Sequence, residues 1–385
     1  MKFLIIHNQY SQKGGEESVV DFQIELLKEK GHQVFLYTRA YEELNNRLFG
    51  KFISIFTSIY NPRSIRDVKR IIKDYKPDVA IIHNVYSIIS PAIIPLLKKK
   101  NVKVWQIIHN YRLFCPIGIF FNKGKICEQC LSKGREWNCG RNNCMNNKIQ
   151  SYAFAFKFFV VRKINYYKSV DKFYVLSSFQ KNKFIQNGIS KEKILYLPNT
   201  FKPITNSYIE SNEARKTYIG FVGRLTEEKG FFDFVDLASK MPQYKFIVAG
   251  NNNNEVMKEL NGGGYKVPEN LIFKGFLDKE GMQDFYNQCR VIMFLSRWYE
   301  GFPMVLIESL YYKTPIIVND LSVMSEVVKD NVTGFVLQNK NEEYIKQKID
   351  YLFKAKQEYE AMRENCEKEF DRYSPEKYYQ RLLQL

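Results

Sequence analysis

Residues 291–309 read Val-Ile-Met-Phe-Leu-Ser-Arg-Trp-Tyr-Glu-Gly-Phe-Pro-Met-Val-Leu-Ile-Glu-Ser. The apolar run Val291–Leu295 has the length and character of a buried strand. Ser296 to Glu300 is a polar loop, Gly301, Phe302 and Pro303 punctuate it, and a helical pattern begins at Met304. Proline suits a first helical turn, where its missing N–H would have no intrahelical partner. Glu300 therefore sits on a loop at the carboxyl end of a strand, and Glu308 inside the following helix. The amides between them form an anion site that the helix dipole reinforces. Two carboxylates flanking such a site suit a ligand with both hydroxyls and phosphates, as a nucleotide-sugar has. The competing reading is a capped strand-to-helix turn with two solvated glutamates.

Working outward, Tyr218–Val222 is a strand followed by Gly223-Arg-Leu-Thr-Glu-Glu-Lys-Gly230. Arg224 and Lys229 share the loop before a helix, so their charges can converge on one anion; otherwise they are plain surface charges. Phe246–Ala249, Ile272–Phe276, Pro315–Val318 and Gly334–Leu337 read as further strands. Asn251–Asn254 with Gly262–Gly264 reads as a flexible loop, and Glu342–Leu385 as helical. In the first half, strand Lys2–Ile6 leads through Gly14-Gly15 into a helix to about Lys30 and a strand at Val34–Tyr37. Glycines at such a helix start can cradle a phosphate. They do not form Gly-x-Gly-x-x-Gly, so an ordinary tight turn competes. Val102–His109 is a strand ending in His109-Asn110-Tyr111-Arg112. Polar clusters at carboxyl strand ends are where open α/β sheets keep their sites. A lone histidine is more often structural.

A chain of 385 residues with 45% hydrophobic content suits two globular domains. The amino-terminal apolar stretch is too short for a signal peptide, and no run approaches the roughly 18 apolar residues of a spanning helix. A cytoplasmic location is expected. Residues 1–200 hold 33 Lys and Arg against 14 Asp and Glu, net +19, whereas residues 201–385 hold 25 against 27, net −2. A basic half beside a neutral one points to a polyanion or an anionic membrane. General lysine richness would not spare the second half. In Ser151–Lys168, Lys157, Arg162, Lys163 and Lys168 alternate with Phe154, Phe156, Phe158, Phe159, Tyr166 and Tyr167. This suits an interfacial helix peripherally bound at the inner membrane face, with a core-packed helix as the alternative. Five of seven cysteines lie between 115 and 144. Cys127-x-x-Cys130 has zinc-knuckle spacing, which Cys115 with Cys144 or Cys139 could complete as a structural site; buried or redox-sensitive thiols compete.

Glu300-x7-Glu308 around Gly-Phe-Pro, together with Gly223-Arg-x4-Lys-Gly230, resembles glycosyltransferase family 4, the retaining nucleotide-sugar transferases of the GT-B architecture. The resemblance extends over nearly the whole chain. It implies an α/β fold of two Rossmann-like, doubly wound domains facing across a cleft. An acceptor-side domain would occupy 1–200, with a cysteine-rich insertion at about 115–144. A linker would follow at 201–213, a nucleotide-sugar domain at 214–365, and a helix at 366–385 crossing back to the first domain. It gives Glu300 the donor sugar hydroxyls, Glu308 the ribose, the amides of Gly301 and Phe302 the sugar and diphosphate, and Arg224 and Lys229 the diphosphate. It sets Gly14 and Gly15 near the diphosphate and His109 at the reacting sugar. The implied reaction moves a hexose from a UDP- or GDP-sugar to a glycan or lipid-linked acceptor in cell-surface polysaccharide assembly. No Asp-x-Asp occurs, so fixed cations and amides replace a metal and no cofactor is required. An epimerase of the same fold is the alternative; its lack of an acceptor surface fits the basic aromatic half poorly. A basic nucleic-acid-binding protein would leave both glutamates unexplained, so no nucleic acid is expected as a partner.

Overall fold

The computed structural model describes residues 1–9, 14–40, 43, 50–86, 88–132, 134–203, 217–251, 267–339 and 341–384. Most of the expected linker, and the expected flexible loop beyond Asn251, lie outside the described residues. The chain divides into two compact units, one of Met1–Asn122, Cys127–Asn199 and Tyr378–Leu385, the other of Lys123–Ile126 and Thr200–Lys377.

The first unit is built on β1 (Lys2–Gln9), β2 (Gln33–Ala40), β3 (Val79–Asn84) and β4 (Lys103–Ile108). After β5 (Phe121–Asn122) and, outside this unit, β6 (Lys125–Ile126), come β7 (Lys172–Val175) and β8 (Ile194–Tyr196). The sheet order is β2-β1-β3-β4-β7-β8, all parallel. The second unit has β9 (Tyr218–Val222), β10 (Lys245–Ala249), β11 (Leu271–Gly275), β12 (Cys289–Phe294), β13 (Ile316–Asn319) and β14 (Gly334–Leu337). Its order is β11-β10-β9-β12-β13-β14, again all parallel. Helices covering both faces make central strands such as β3 and β12 mostly apolar and buried at every position.

The crossover helices follow from apolar periodicity and caps. The helix Gly15–Glu29 buries Val19, Val20, Phe22, Leu26 and Leu27 along one face. Asn61 caps Pro62–Tyr75 by accepting from the amides of Arg63 and Ser64, and Ser177 caps Ser178–Gln186 by accepting from Gln180. In the second unit Phe221, Phe231, Phe234 and Phe246 pack edge-on or tilted against one another within one core. Truncating any of these to alanine costs about 3–5 kcal/mol. The closing segment packs in the first unit, where Tyr378 is buried edge-on to Phe22 and the Tyr174 hydroxyl donates to the Leu382 carbonyl at 2.7 Å.

The helix Lys148–Ile164 departs from the interfacial expectation. Lys157 is only 7% exposed, its Nζ 4.1 Å from the Phe154 ring centroid and 5.4 Å from that of Tyr86. Burial, and then the Arg112 charge, push its pKa down to about 7. Arg162 is tied to Glu136 at 2.9 Å and to the Leu131 carbonyl at 2.8 Å. Neither cation faces outward. The helix is apolar on most of its circumference, so its sequence does not announce which side is covered. The face left exposed carries Ile149 (82%), Tyr152, Phe156 (43%), Lys163 and Ile164, and Lys168 is exposed just beyond it. Phe56 (55%) and Tyr60 (53%) are exposed as well. Among the described residues no helix is long and apolar enough to cross a membrane.

Candidate functional site

In the second unit, neighbouring strands β9 and β12 each release a loop at their carboxyl ends. The first loop, Gly223–Gly230, contains the 3-10 turn Glu227–Lys229 and feeds the helix Phe231–Lys240. The second feeds the helix Met304–Tyr311, with Pro303 as its extended N-cap residue rather than inside the first turn. The loops are bound to one another. The Arg297 amide donates to the Glu228 carbonyl at 2.8 Å, and its guanidinium grips Asp233, Nε to Oδ2 at 2.8 Å. Gly230 has φ 75°, and a Cβ there would lie 2.2 Å from the Leu295 carbonyl oxygen, so only glycine fits the crossing.

Glu300 is the centre of this arrangement. It is buried, and its Oε1 accepts from Lys229 Nζ at 2.7 Å, Ser296 Oγ at 2.6 Å and Trp298 Nε1 at 2.6 Å. Three donors on one carboxylate oxygen, one of them charged, hold the ion in place. Lys229 Nζ lies 5.2 Å from the Trp298 ring centroid, and the Arg224 guanidinium 5.5 Å from it. Arg224 is 60% exposed and 3.2 Å from Glu228. The structure thus gathers Arg224, Lys229 and Glu300 around Trp298, with Gly301 and a buried Phe302 next in the chain. Glu308 turns elsewhere and accepts from the Tyr286 hydroxyl at 2.7 Å on the helix Lys279–Gln288. Burial raises the Glu308 pKa against the lowering effect of that bond. Trp298, Ser296 and Tyr286 escaped the sequence reading. The first two lie inside the quoted stretch, where a donor spaced two or four residues from the glutamate was the available signal.

The first unit gathers imidazoles. Three of the chain's four histidines, His7, His83 and His109, stand at or just past the carboxyl ends of β1, β3 and β4. His83 Nδ1 is 2.8 Å from His109 Nε2, and the His7 and His83 rings meet edge-on at 6.2 Å. Burial, then the neighbouring His7, push the His109 pKa down to about 3, and burial holds His83 well below the usual range. Both are neutral at physiological pH. Gly14 precedes the helix Gly15–Glu29, and its amide donates to Glu17 Oε2 at 3.0 Å, so a carboxylate of the chain already occupies that amide. The other Glu17 oxygen is 3.8 Å from His7. His7 and His83 were missed in the sequence, although each ends a parallel strand as His109 does.

The cysteines pack rather than splay. Cys130 and Cys139 are buried with Ala155, and Cys144 packs against them. The Cys144 hydrogen bond, then burial, drive the Cys139 pKa far upward, and burial pushes Cys130 up to about 12. Among the described residues no group of three or more His, Cys, Asp or Glu side chains is set to hold an ion. Cys115, Cys127, Cys130 and Cys144 are all free thiols in the structure.

Two parallel-sheet α/β units with their polar clusters at the strand ends define the GT-B class of folds. Two family models divide this chain, Glycosyltransferase Family 4 over residues 13–202 and Glycosyl transferases group 1 over residues 206–369. The protein belongs to glycosyltransferase family 4 and is a glycosyltransferase. It is 24% identical over 358 residues to an uncharacterized 42.6 kDa protein in the cps region of Klebsiella pneumoniae, across 85% of this chain and 87% of that one. It is 28% identical over 243 residues to the O-antigen biosynthesis glycosyltransferase WbnH of Escherichia coli, spanning 62% of this chain and 63% of that protein's length. Its fold is that of Anabaena HepE, solved in complex with UDP-glucose, with TM-score 0.66 and 15% identity over 100% of this chain and 98% of that one.

Proposed function

We propose that the protein moves a hexose, with retention of configuration, from a nucleotide-diphosphate sugar to a glycan or lipid-linked acceptor of a cell-surface polysaccharide. The observation that carries this reading is the group at Glu300. A buried carboxylate braced by Lys229, Ser296 and Trp298 is a rigid acceptor for sugar hydroxyls, and Lys229 and Arg224 are fixed cations for a departing diphosphate. Charge developing on that leaving group is where stabilisation counts most. Glu308, half-buried and oriented by Tyr286, suits ribose hydroxyls. The chain's lack of Asp-x-Asp supports a reaction without a catalytic metal. The relatives' names, O-antigen and cps, support the polysaccharide class, and the HepE complex a UDP-sugar donor. Docking of the first unit on anionic lipid, through Phe156, Lys163 and Lys168 rather than Lys157 and Arg162, brings the enzyme to a lipid-linked acceptor.

A thermal-shift screen of UDP- and GDP-sugars, followed by transfer to lipid-linked acceptors in the presence of a chelator, tests this. Stabilisation by one nucleotide-sugar and acceptor-dependent product are expected. Isomerised donor without acceptor would instead establish an epimerase, and no response to any nucleotide-sugar would remove the reading.

A further inference from the structure

Four side chains from four segments of the first unit form one file of hydrogen bonds. Gln23 Nε2 donates to the Tyr378 hydroxyl at 2.7 Å, and Gln23 Oε1 lies 2.9 Å from His83 Nε2. His83 Nδ1 lies 2.8 Å from His109 Nε2. Gln23, His83 and Tyr378 are buried. The two imidazoles are within 13° of coplanar with centroids 5.1 Å apart, the edge-on arrangement in which an N–H points along a lone pair.

Each gap in the file holds one proton, and the amide decides where. A carbonyl oxygen only accepts, so Gln23 Oε1 requires a hydrogen on His83 Nε2. A neutral imidazole carries one N–H, so His83 Nδ1 is a lone pair and takes the hydrogen of His109 Nε2. His109, neutral in its turn, is left with its lone pair on Nδ1. The Gln23 NH2 is on the Tyr378 hydroxyl, and that orientation of the amide sets the direction of the whole file.

We propose that Tyr378, Gln23 and His83 are positioning residues that lock His109 as the Nε2–H tautomer, so that it offers the Nδ1 lone pair to a carbohydrate hydroxyl. The consequence for substrate rests on the transferase reading. A lone-pair acceptor receives an O–H and repels a carboxylate, so the sugar position at His109 carries a hydroxyl and not the acid of a uronate.

The test is long-range 1H–15N spectroscopy of the histidine rings in the full-length protein at pH 7.5, paired with kinetics. Wild-type His83 and His109 should both show Nε2 protonated and Nδ1 bare. In Gln23→Glu, a carboxylate facing His83 favours the doubly protonated ring, whose Nδ1–H then drives His109 to the Nδ1–H form. That variant should show the switched His109 tautomer and lose at least about tenfold in kcat, with KM for the nucleotide-sugar changed less than about twofold; a wrong tautomer in a serine-protease triad costs up to about 10⁴. Tyr378→Phe, which keeps the ring packing, should give a mixture of tautomers and a smaller loss. Nδ1–H on wild-type His109, or a switched tautomer in Gln23→Glu with unaltered kcat, would overturn the proposal. The spectra need no substrate, so failure of this file and failure of the transferase reading show in different measurements.

Discussion

The two units place their charge in opposite ways. Residues 1–200 carry +19, yet their strand ends place together His83 and His109, imidazoles that burial keeps unprotonated. Residues 201–385 carry −2, yet their strand ends gather Lys229 and Arg224 over Trp298 around a buried glutamate. Net charge therefore describes what a unit's surface attracts, and the strand-end cluster describes what its site can do. The basic surface and the neutral site of the first unit belong to different tasks.

Removing the charge from the second unit's cluster should have the largest effect. Lys229→Ala takes away a cation and leaves buried Glu300 with one donor fewer, so kcat should fall at least about a hundredfold, or about 3 kcal/mol. Steady-state turnover measures this, and near-normal turnover would erase the contrast between the sites. The surface of the first unit comes next. Phe156→Ser with Lys163→Gln and Lys168→Gln should weaken sedimentation with anionic vesicles more than about thirtyfold, at roughly 1 kcal/mol per cation plus a lost apolar contact. Lys157→Gln should not alter that binding, because Lys157 is buried; weakening by it would place the docking face elsewhere.

A smaller effect is expected at Glu308. Glu308→Gln should raise KM for the nucleotide-sugar about tenfold with kcat little changed, the signature of binding shared by ground and transition states. A fall in kcat alone would move Glu308 into the chemistry. The smallest effect concerns stability. The Lys157 pKa falls from its usual 10.5 to about 7 on folding, so folding must release a proton between these values. The penalty is fully present below pH 7 and is relieved as pH rises toward 10.5. Lys157→Met should therefore raise Tm at pH 6–7, by roughly 1–3 kcal/mol of added stability, and the gain should shrink by pH 10. A gain independent of pH would mean that packing, not charge, is the cause.

The strands of both sheets are legible because doubly covered parallel strands carry continuous apolar runs, as in Val291–Leu295. The group at Glu300 was partly legible for a related reason. Arg224 and Lys229 share a loop, and Glu300 ends a strand, so adjacency of β9 and β12 is enough to join them. The histidine file was not legible, since His7, His83 and His109 become neighbours only through the β1-β3-β4 order of the sheet. Periodicity also failed on Lys148–Ile164, where a buried lysine and an exposed phenylalanine sit side by side at 156 and 157. Which aromatic faces out there depends on what the cysteine-rich segment and its Glu136 cover.

Gln23 and Tyr378 are 355 positions apart, and between them lies the whole second unit. On a ribosome adding about 5–20 residues each second, the partner that orients Gln23 emerges on the order of tens of seconds after it. Until then the first unit has its sheet and its imidazoles but not the hydroxyl that receives the Gln23 NH2. An unfinished chain therefore carries the histidines without the last member of their file. The file is set only when the second unit has already been made, which ties competence of the first-made half to completion of the last-made one.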